Sequence, residues 1–315
     1  MSTVLVTGAN GYIGPHVVEA LVDLGFDVVA VTRRPATFSS GSVRCVVCDV
    51  LEEADEDGLF ERLGSPDTCI HLAYRNGFVH NAPTHLEDIA KHYAFVGAMA
   101  RSGCERVAVM GSMHEVGYHE GAITSSTPCA PLSMYGIAKN ALREAVMGVM
   151  APQVDASLRW LRGYYIYGDD LRSSSVFGKM VLASREGRRT FPFTSGTNKC
   201  DFIHIDDLAT QIAVAATTPL LGTEVMNCCT GVAVSLGCQA LSFIRDNGLD
   251  LELEYGVFPD RPYDSPVVYG DAAPMRALLR QVQEAWDGPG IQRIARALES
   301  MDASLRSPFA QGDRI

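Results

Sequence analysis

A strand, a glycine-rich loop and a helix open this chain, and that order constrains what can follow. Thr3 to Thr7 is apolar and β-branched and reads as a short buried strand. Gly8-Ala9-Asn10-Gly11-Tyr12-Ile13-Gly14 comes next, then Val17, Val18, Leu21, Val22 and Leu24 at helical spacing. In such a setting one glycine makes the turn, a second lets the backbone approach a pyrophosphate, and a third lets helix pack on strand. The helix N-terminus then faces the phosphates with free amides. The spacing is Gly-x-x-Gly-x-x-Gly, one residue longer than the common form. Pro15 falls in the first helical turn, where proline is tolerated. Gly8, Asn10, Gly11, Tyr12, Ile13 and Gly14 are therefore expected around a dinucleotide.

Strands and helices alternate through the first half. Strands are expected near 3–7, 27–32, 43–48, 68–72, 106–111 and 156–162, with helices near 14–24, 57–62, 85–102 and 134–150. Alternation of this kind predicts a parallel sheet covered on both faces, an α/β fold. After Gly168 the pattern loosens. Helices are expected at 174–187, 206–217 and 235–247, and strand-like pieces at 189–193, 201–205, 225–228 and 251–256. The Pro- and Gly-rich stretches 258–274 and 287–290 read as connections or lids. A chain of 315 residues has room for two domains.

Tyr135 and Lys139, in the run Tyr-Gly-Ile-Ala-Lys, lie one turn apart on one helix face. A lysine ammonium buried beside a phenol favours the phenolate, so such a tyrosine can exchange protons near neutral pH. The pair alone has low specificity.

Together with the glycine loop it is more telling. The chain resembles the extended short-chain dehydrogenases/reductases, the epimerase/dehydratase branch, which act mainly on nucleotide sugars. Further matching pieces are Cys48-Asp49-Val50, His71-Leu72-Ala73, Gly111-Ser112, Leu161-Arg162 with Tyr167-Gly168, and Asp201-Phe202-Ile203-His204-Ile205-Asp206-Asp207-Leu208, in the expected order. The resemblance implies a Rossmann-type doubly wound parallel sheet with a smaller C-terminal α/β substrate lobe. Residues 1–168 and about 203–247 would bind the nucleotide cofactor; 169–202 and about 248–315 would form the lobe.

By the same resemblance Tyr135 is the general acid, and Lys139 bonds the nicotinamide ribose and lowers the tyrosine pKa. A Ser or Thr near the end of strand five normally bonds the reacting oxygen. Anchored on Glu115-Val116, that hydroxyl position falls on Met113, with Ser112 one residue earlier. Dehydratases of this family carry an Asp-Glu pair next; here it is His114-Glu115, which weakens the case for elimination of water. Asp49, Val50, Leu72, Ala73, Tyr74 and Tyr164 join the cofactor set. Arg75, His114, Tyr165, Lys179, Lys199 and Arg261 are the substrate candidates. Tyr165 stands where the family usually has asparagine, and Cys200 where an arginine often reaches the diphosphate.

The second strand ends Thr32-Arg33-Arg34. An NAD-selective loop usually has an acidic residue here, whereas arginines suit a 2′-phosphate. This favours NADP(H) over NAD, and with it net reduction.

The net charge of −11 argues against nucleic acid or anionic membrane as partner. No apolar run is long enough to span a bilayer, and the first residues lead straight into strand one, so a cytoplasmic location is expected. Nine scattered cysteines fit a reduced compartment. Cys45-x-x-Cys48 lies in a strand-like run that sends the two side chains to opposite faces, and no metal is expected. A homodimer is implied by the family, through Ala90, Tyr93, Ala94, Val96, Ala98 and Met99 with Ala141, Ala145, Val146 and Val149; the same residues could cover the monomer's own sheet.

The expected activity is NADPH-dependent reduction of the ketone of a nucleotide-activated 4-keto-6-deoxy sugar. A nucleotide-sugar 4-epimerase or dehydratase with retained NAD(P), reduction of a non-nucleotide ketone, and a non-catalytic NADP-binding regulator are the alternatives.

Overall fold

The computed structural model describes residues 2–54, 56–260 and 264–306. Its first strands in chain order are β1 (Thr3–Thr7), β2 (Asp27–Thr32), β3 (Val43–Val47), β4 (Thr68–His71), β5 (Arg106–Ser112), β6 (Gly121–Ile123) and β7 (Ser157–Gly163). Then come β8 (Tyr165–Tyr167), β9 (Thr190–Pro192), β10 (Lys199–His204), β11 (Glu224–Cys228), β12 (Ala233–Ser235), β13 (Glu252–Glu254) and β14 (Val267–Gly270).

Seven strands form one parallel sheet in the order β11-β7-β5-β4-β1-β2-β3. The order reverses at β1, where β4 pairs on one side and β2 on the other. A crevice at the carboxyl ends of the strands is expected at such a switch point. β1 shows why the sheet is buried on both faces. Val4 and Val6 enter one apolar core and Leu5 the other, as the two-residue period of a strand requires. Helices Gly14–Asp23 and Ile205–Thr217 pack together on the first face, and Ile89–Ser102 and Met134–Arg143 on the second.

A second sheet has the order β12-β10-β14-β6 with β8 also on β10, and β9 pairs with β13. β11 returns to the edge of the large sheet. Helix Leu236–Asp246 packs on β10, β12 and the Val176–Arg185 helix, whereas Ala273–Ala285 packs on β11 and Ile205–Thr217.

Two expectations need correction. The helix expected over 134–150 is α-helical only to Arg143 and continues as a wider π-helical stretch over Glu144–Met150. The stretch 258–274 is not all connection. Val267–Gly270 is a strand, paired with Lys199–Cys200 of β10 and with β6. Its partners lie far away in the chain, so local composition could not show them. No helix among the described residues is long and apolar enough to cross a membrane.

Candidate active site

The glycine loop leaves β1 at Gly8, whose φ is +66°. A Cβ there would lie 2.8 Å from the Ala73 amide nitrogen, so only glycine fits against the end of β4. Gly11 N–H donates to Gly8 O at 2.8 Å, closing the turn. The following helix begins with no side-chain cap, which leaves its first amides facing the loop. Strand ends are tied beneath it. The Ala73 amide donates to Thr7 Oγ1 at 3.1 Å, and Thr7 Oγ1 pairs with His71 Nδ1 at 2.8 Å. The residues present thus make a cradle for a dinucleotide pyrophosphate, walled by Leu72 and Ala73.

β5 delivers the reactive groups. Ser112, its last residue, is buried and accepts a hydrogen bond from the His114 amide at 3.3 Å, turning the chain into the short 3-10 turn Met113–Glu115. The Ser112 hydroxyl also lies close enough to the Tyr135 phenol to favour its ionised form. Met113 instead buries its thioether in the apolar core. The expectation that Met113 stands among the reacting groups is corrected: the extended backbone at Ser112 and the tight turn after it send residue 113 into the core and leave Ser112 on the side of the phenol.

Tyr135 is aimed at Ser112 by the start of its helix. Ser133 caps the helix, its hydroxyl accepting from Gly136 N–H at 3.1 Å. A Cβ on Gly136 would meet the His114 carbonyl oxygen at 2.3 Å, so the helix start packs directly on the 113–115 turn. The Tyr135 amide donates to His80 O at 2.8 Å. Burial pushes the Tyr135 hydroxyl up to about 12, opposed by the Ser112 hydroxyl and aided by the Glu115 charge. Lys139 is buried, donates to Met110 O at 2.6 Å, and sits 6.0 Å from the Tyr135 ring centroid. Burial pulls its ammonium down to about 7. At the phenol, desolvation is the largest influence. A phenol held in its protonated form beside a serine hydroxyl can donate to a carbonyl oxygen placed between them.

Glu115 is held by partners of its own. It is fully buried, accepts Trp160 Nε1 at 2.9 Å and 3.1 Å, and forms an ion pair with Arg162 Nε. Arg162 also donates to Thr124 O at 2.9 Å. Glu115 therefore knits β7 to the 113–115 turn, a correction to its expected place in the catalytic group. Its burial raises the carboxyl even against Arg162.

A family model described as NAD dependent epimerase/dehydratase family matches residues 4–229. The chain belongs to this family. Over 270 residues it is 39% identical to a dTDP-6-deoxy-L-talose 4-dehydrogenase (NAD(+)) of Aggregatibacter actinomycetemcomitans, an alignment spanning 85% of this chain and 98% of that protein. It is 25% identical to UDP-glucose 4-epimerase 4 of Oryza sativa subsp. japonica, over 86% of this chain and 83% of that one. Among solved structures, MoeE5 in complex with UDP-glucose and NAD superposes with a TM-score of 0.74 at 27% identity, covering 96% of this chain and 100% of that one. The chain is an enzyme of the short-chain dehydrogenase/reductase type.

Within this epimerase/dehydratase fold the remaining candidates separate. Asn10 and Gly11 are exposed on the loop; Arg172 donates to their carbonyl oxygens at 2.9 Å and 3.3 Å. Tyr12 donates to Gly168 O at 2.7 Å, and Ile13 begins the helix. Thr32 is buried and donates to Arg34 O at 2.7 Å, while Arg33 and Arg34 are exposed. Asp49 and Val50 follow β3. His114 and Tyr165 lie near the phenol: the His114 ring centroid is 6.0 Å from each of Tyr135 and Tyr165.

Two candidates are held elsewhere. Tyr164 is buried in the apolar core against Gly270 and Cys229, so its ring does not line the crevice. Arg75 is held by Glu52 at 2.7 Å, Asp49 at 3.4 Å and Asp88 at 3.7 Å, which neutralise it for a diphosphate. Lys179 is exposed on its helix, remote in sequence from the phenol, and Lys199 starts β10, half-buried. Arg261 lies outside the described residues. Among the described residues no group of three or more His, Cys, Asp or Glu side chains is arranged to hold a metal ion.

Sequence reasoning missed His80, His85 and His92. His80 lies 4.8 Å from the His114 ring, and His85 and His92 stack on Tyr74. The signal was available: four of the eight histidines fall between 71 and 92.

Proposed function

We propose that this enzyme reduces the 4-keto group of a nucleotide-activated 6-deoxy sugar, reversibly, with NADPH as preferred donor. The observation that carries the reading is the pairing of a protonated Tyr135 with Ser112 while Glu115 is locked to Arg162 and Trp160. Protonation of an arriving alkoxide needs an acid, which Tyr135 supplies. Ser112 orients the carbonyl oxygen by a second hydrogen bond. Elimination of water needs a free carboxylate beside the sugar ring, and Glu115 is not free. The nicotinamide supplies the hydride when bound, and Lys139 would hold its ribose.

Similarity to the 4-dehydrogenase supports this reading, because 4-keto reduction and 4-hydroxyl oxidation are two directions of one hydride transfer. That relative's name carries NAD(+). The exposed Arg33 and Arg34, with no carboxylate at the end of β2, support the phosphorylated cofactor here. We place the nucleotide half in the seven-stranded sheet and its flanking helices, the substrate lobe in the second sheet, and the working enzyme as a cytoplasmic homodimer through Ala90, Ala141 and Val149, which are exposed. Val96, Met99 and Val146 belong to the monomer's core instead.

The test is to mix pure protein with NADPH or NADH and a panel of 4-keto-6-deoxy sugar nucleotides, following cofactor absorbance. Loss of signal with one member is expected. Tightly retained NAD with no consumption of added cofactor would establish the epimerase instead.

A further inference from the structure

Tyr74 lies three residues past the end of β4, and its ring meets two side chains of the Met134–Arg143 helix. The Lys139 ammonium lies 3.8 Å from its ring centroid. The same ring meets Tyr135 edge-on at 5.5 Å and 87°. Tyr74 stacks on His92 at 5.1 Å and 16°, and on His85 at 5.4 Å and 20°. Both imidazoles are anchored. His92 Nδ1 pairs with His71 Nε2 at 2.8 Å, and His71 is held by Thr7 at the end of β1; His85 Nε2 bonds Val79 O at 2.8 Å. The ring is therefore fixed from several sides while one face meets a cation.

An ammonium has three donors, and the Lys139 hydrogen bond in evidence is to Met110 O. In so buried a place an aromatic face is a strong compensation for lost water. We propose that Tyr74 is a positioning residue whose ring face fixes the Lys139 ammonium beside Tyr135 and favours its charged form. This rests on the proposed role of Lys139 and Tyr135 in ketone reduction, but the device itself can be read without a substrate.

The other groups around Lys139 set the background. Glu115, at the end of the 113–115 turn, favours the ammonium. His71 on β4 and His92 on the Ile89–Ser102 helix feel its charge and are held neutral by burial, His71 down to about 3. Tyr135, on the Met134–Arg143 helix with Lys139, is protonated through the neutral range. Tyr74 is likewise a neutral phenol, its ionisation pushed well above the usual range by burial. None of these replaces the ring face.

The experiment is a pH titration of the lysine ε-methylene signals in full-length protein labelled with 13C-lysine. The chain has four lysines, Lys91, Lys139, Lys179 and Lys199, and Lys139→Met assigns the signal. Tyr74→Phe should leave the Lys139 midpoint in place, and Tyr74→Leu should lower it by about 1 pH unit. Fluorinated phenylalanines at 74 keep the shape and weaken the ring face, so they should lower the midpoint stepwise even if Tyr74→Leu folds poorly. An unmoved midpoint across the fluorinated series, or equal shifts for Tyr74→Phe and Tyr74→Leu, would overturn the proposal. With substrate, Tyr74→Leu should lower kcat at pH 7 about fivefold and leave the sugar KM within about twofold, since the ring acts on the ammonium. If wild type turns over no nucleotide sugar, the proposed function fails while the titration still decides the role of Tyr74.

Discussion

Glu115→Gln should cost stability far more than catalysis. Glu115 and Arg162 are both fully buried, and the carboxylate takes the Arg162 Nε–H and the Trp160 Nε1–H. Removing one partner of a buried pair typically costs about 3–5 kcal/mol, because the remaining charge stays buried and uncompensated. Glutamine keeps one carbonyl oxygen for one of the two donors, which returns about 1 kcal/mol. Arg162 also retains Thr124 O. The net loss is then about 2–4 kcal/mol, a fall in melting temperature on the order of 5–10 °C for a chain of this size. The assay is thermal melting by circular dichroism beside initial rates at 15 °C, where the variant remains folded. The expected result is a clear drop in melting temperature with kcat within about fivefold of wild type. A melting curve like wild type with kcat down a hundredfold would refute the reasoning and put Glu115 back into the chemistry.

Three further outcomes follow from the site. Ser112→Ala should lower kcat by about 10- to 100-fold with the sugar KM little changed, measured by steady-state kinetics, because its hydroxyl acts on the reacting oxygen. Arg33→Ala with Arg34→Ala should raise the NADPH KM at least tenfold and leave the NADH KM within about twofold, if these arginines read the 2′-phosphate. The phenol at about 12 remains protonated throughout the neutral range. Ketone reduction should therefore be flat in Tyr135 ionisation from pH 6 to 9, whereas oxidation of the alcohol, which needs the phenolate, should rise with pH; a reduction rate that falls through pH 7 in step with phenol ionisation, followed by ultraviolet difference spectra, would contradict this assignment.

The large sheet was legible because its strands are continuous apolar runs bounded by turns, and the glycine loop fixed the first βα unit. The Tyr135-x-x-x-Lys139 pair was legible because helix geometry is local. What escaped was non-local. β6, β8, β12 and β14 are only three or four residues long and exist through partners far along the chain, such as Gly121 with Val268. Which of Ser112 and Met113 faces the phenol was not legible because one tight turn decides it. Glu115 looked like an acid-base group because spacing shows neighbours in sequence, while Trp160 and Arg162 reach it from the next strand of the sheet. The depth of the pocket, which a sequence does not display, is the largest influence on both the Tyr135 phenol and the Lys139 ammonium. Tyr74 was grouped with cofactor residues; its place against Lys139 depends on the packing of His85 and His92.

The central claim is that hydride passes from external cofactor to the C4 of a nucleotide sugar and stays there. The most direct measurement uses NADPH carrying deuterium at the transferable nicotinamide position, with the keto-sugar nucleotide, and mass and NMR analysis of the released sugar. One deuterium at C4 per cofactor consumed is expected, with transfer lost in Tyr135→Phe. Product formed without net cofactor consumption and without deuterium would contradict the account.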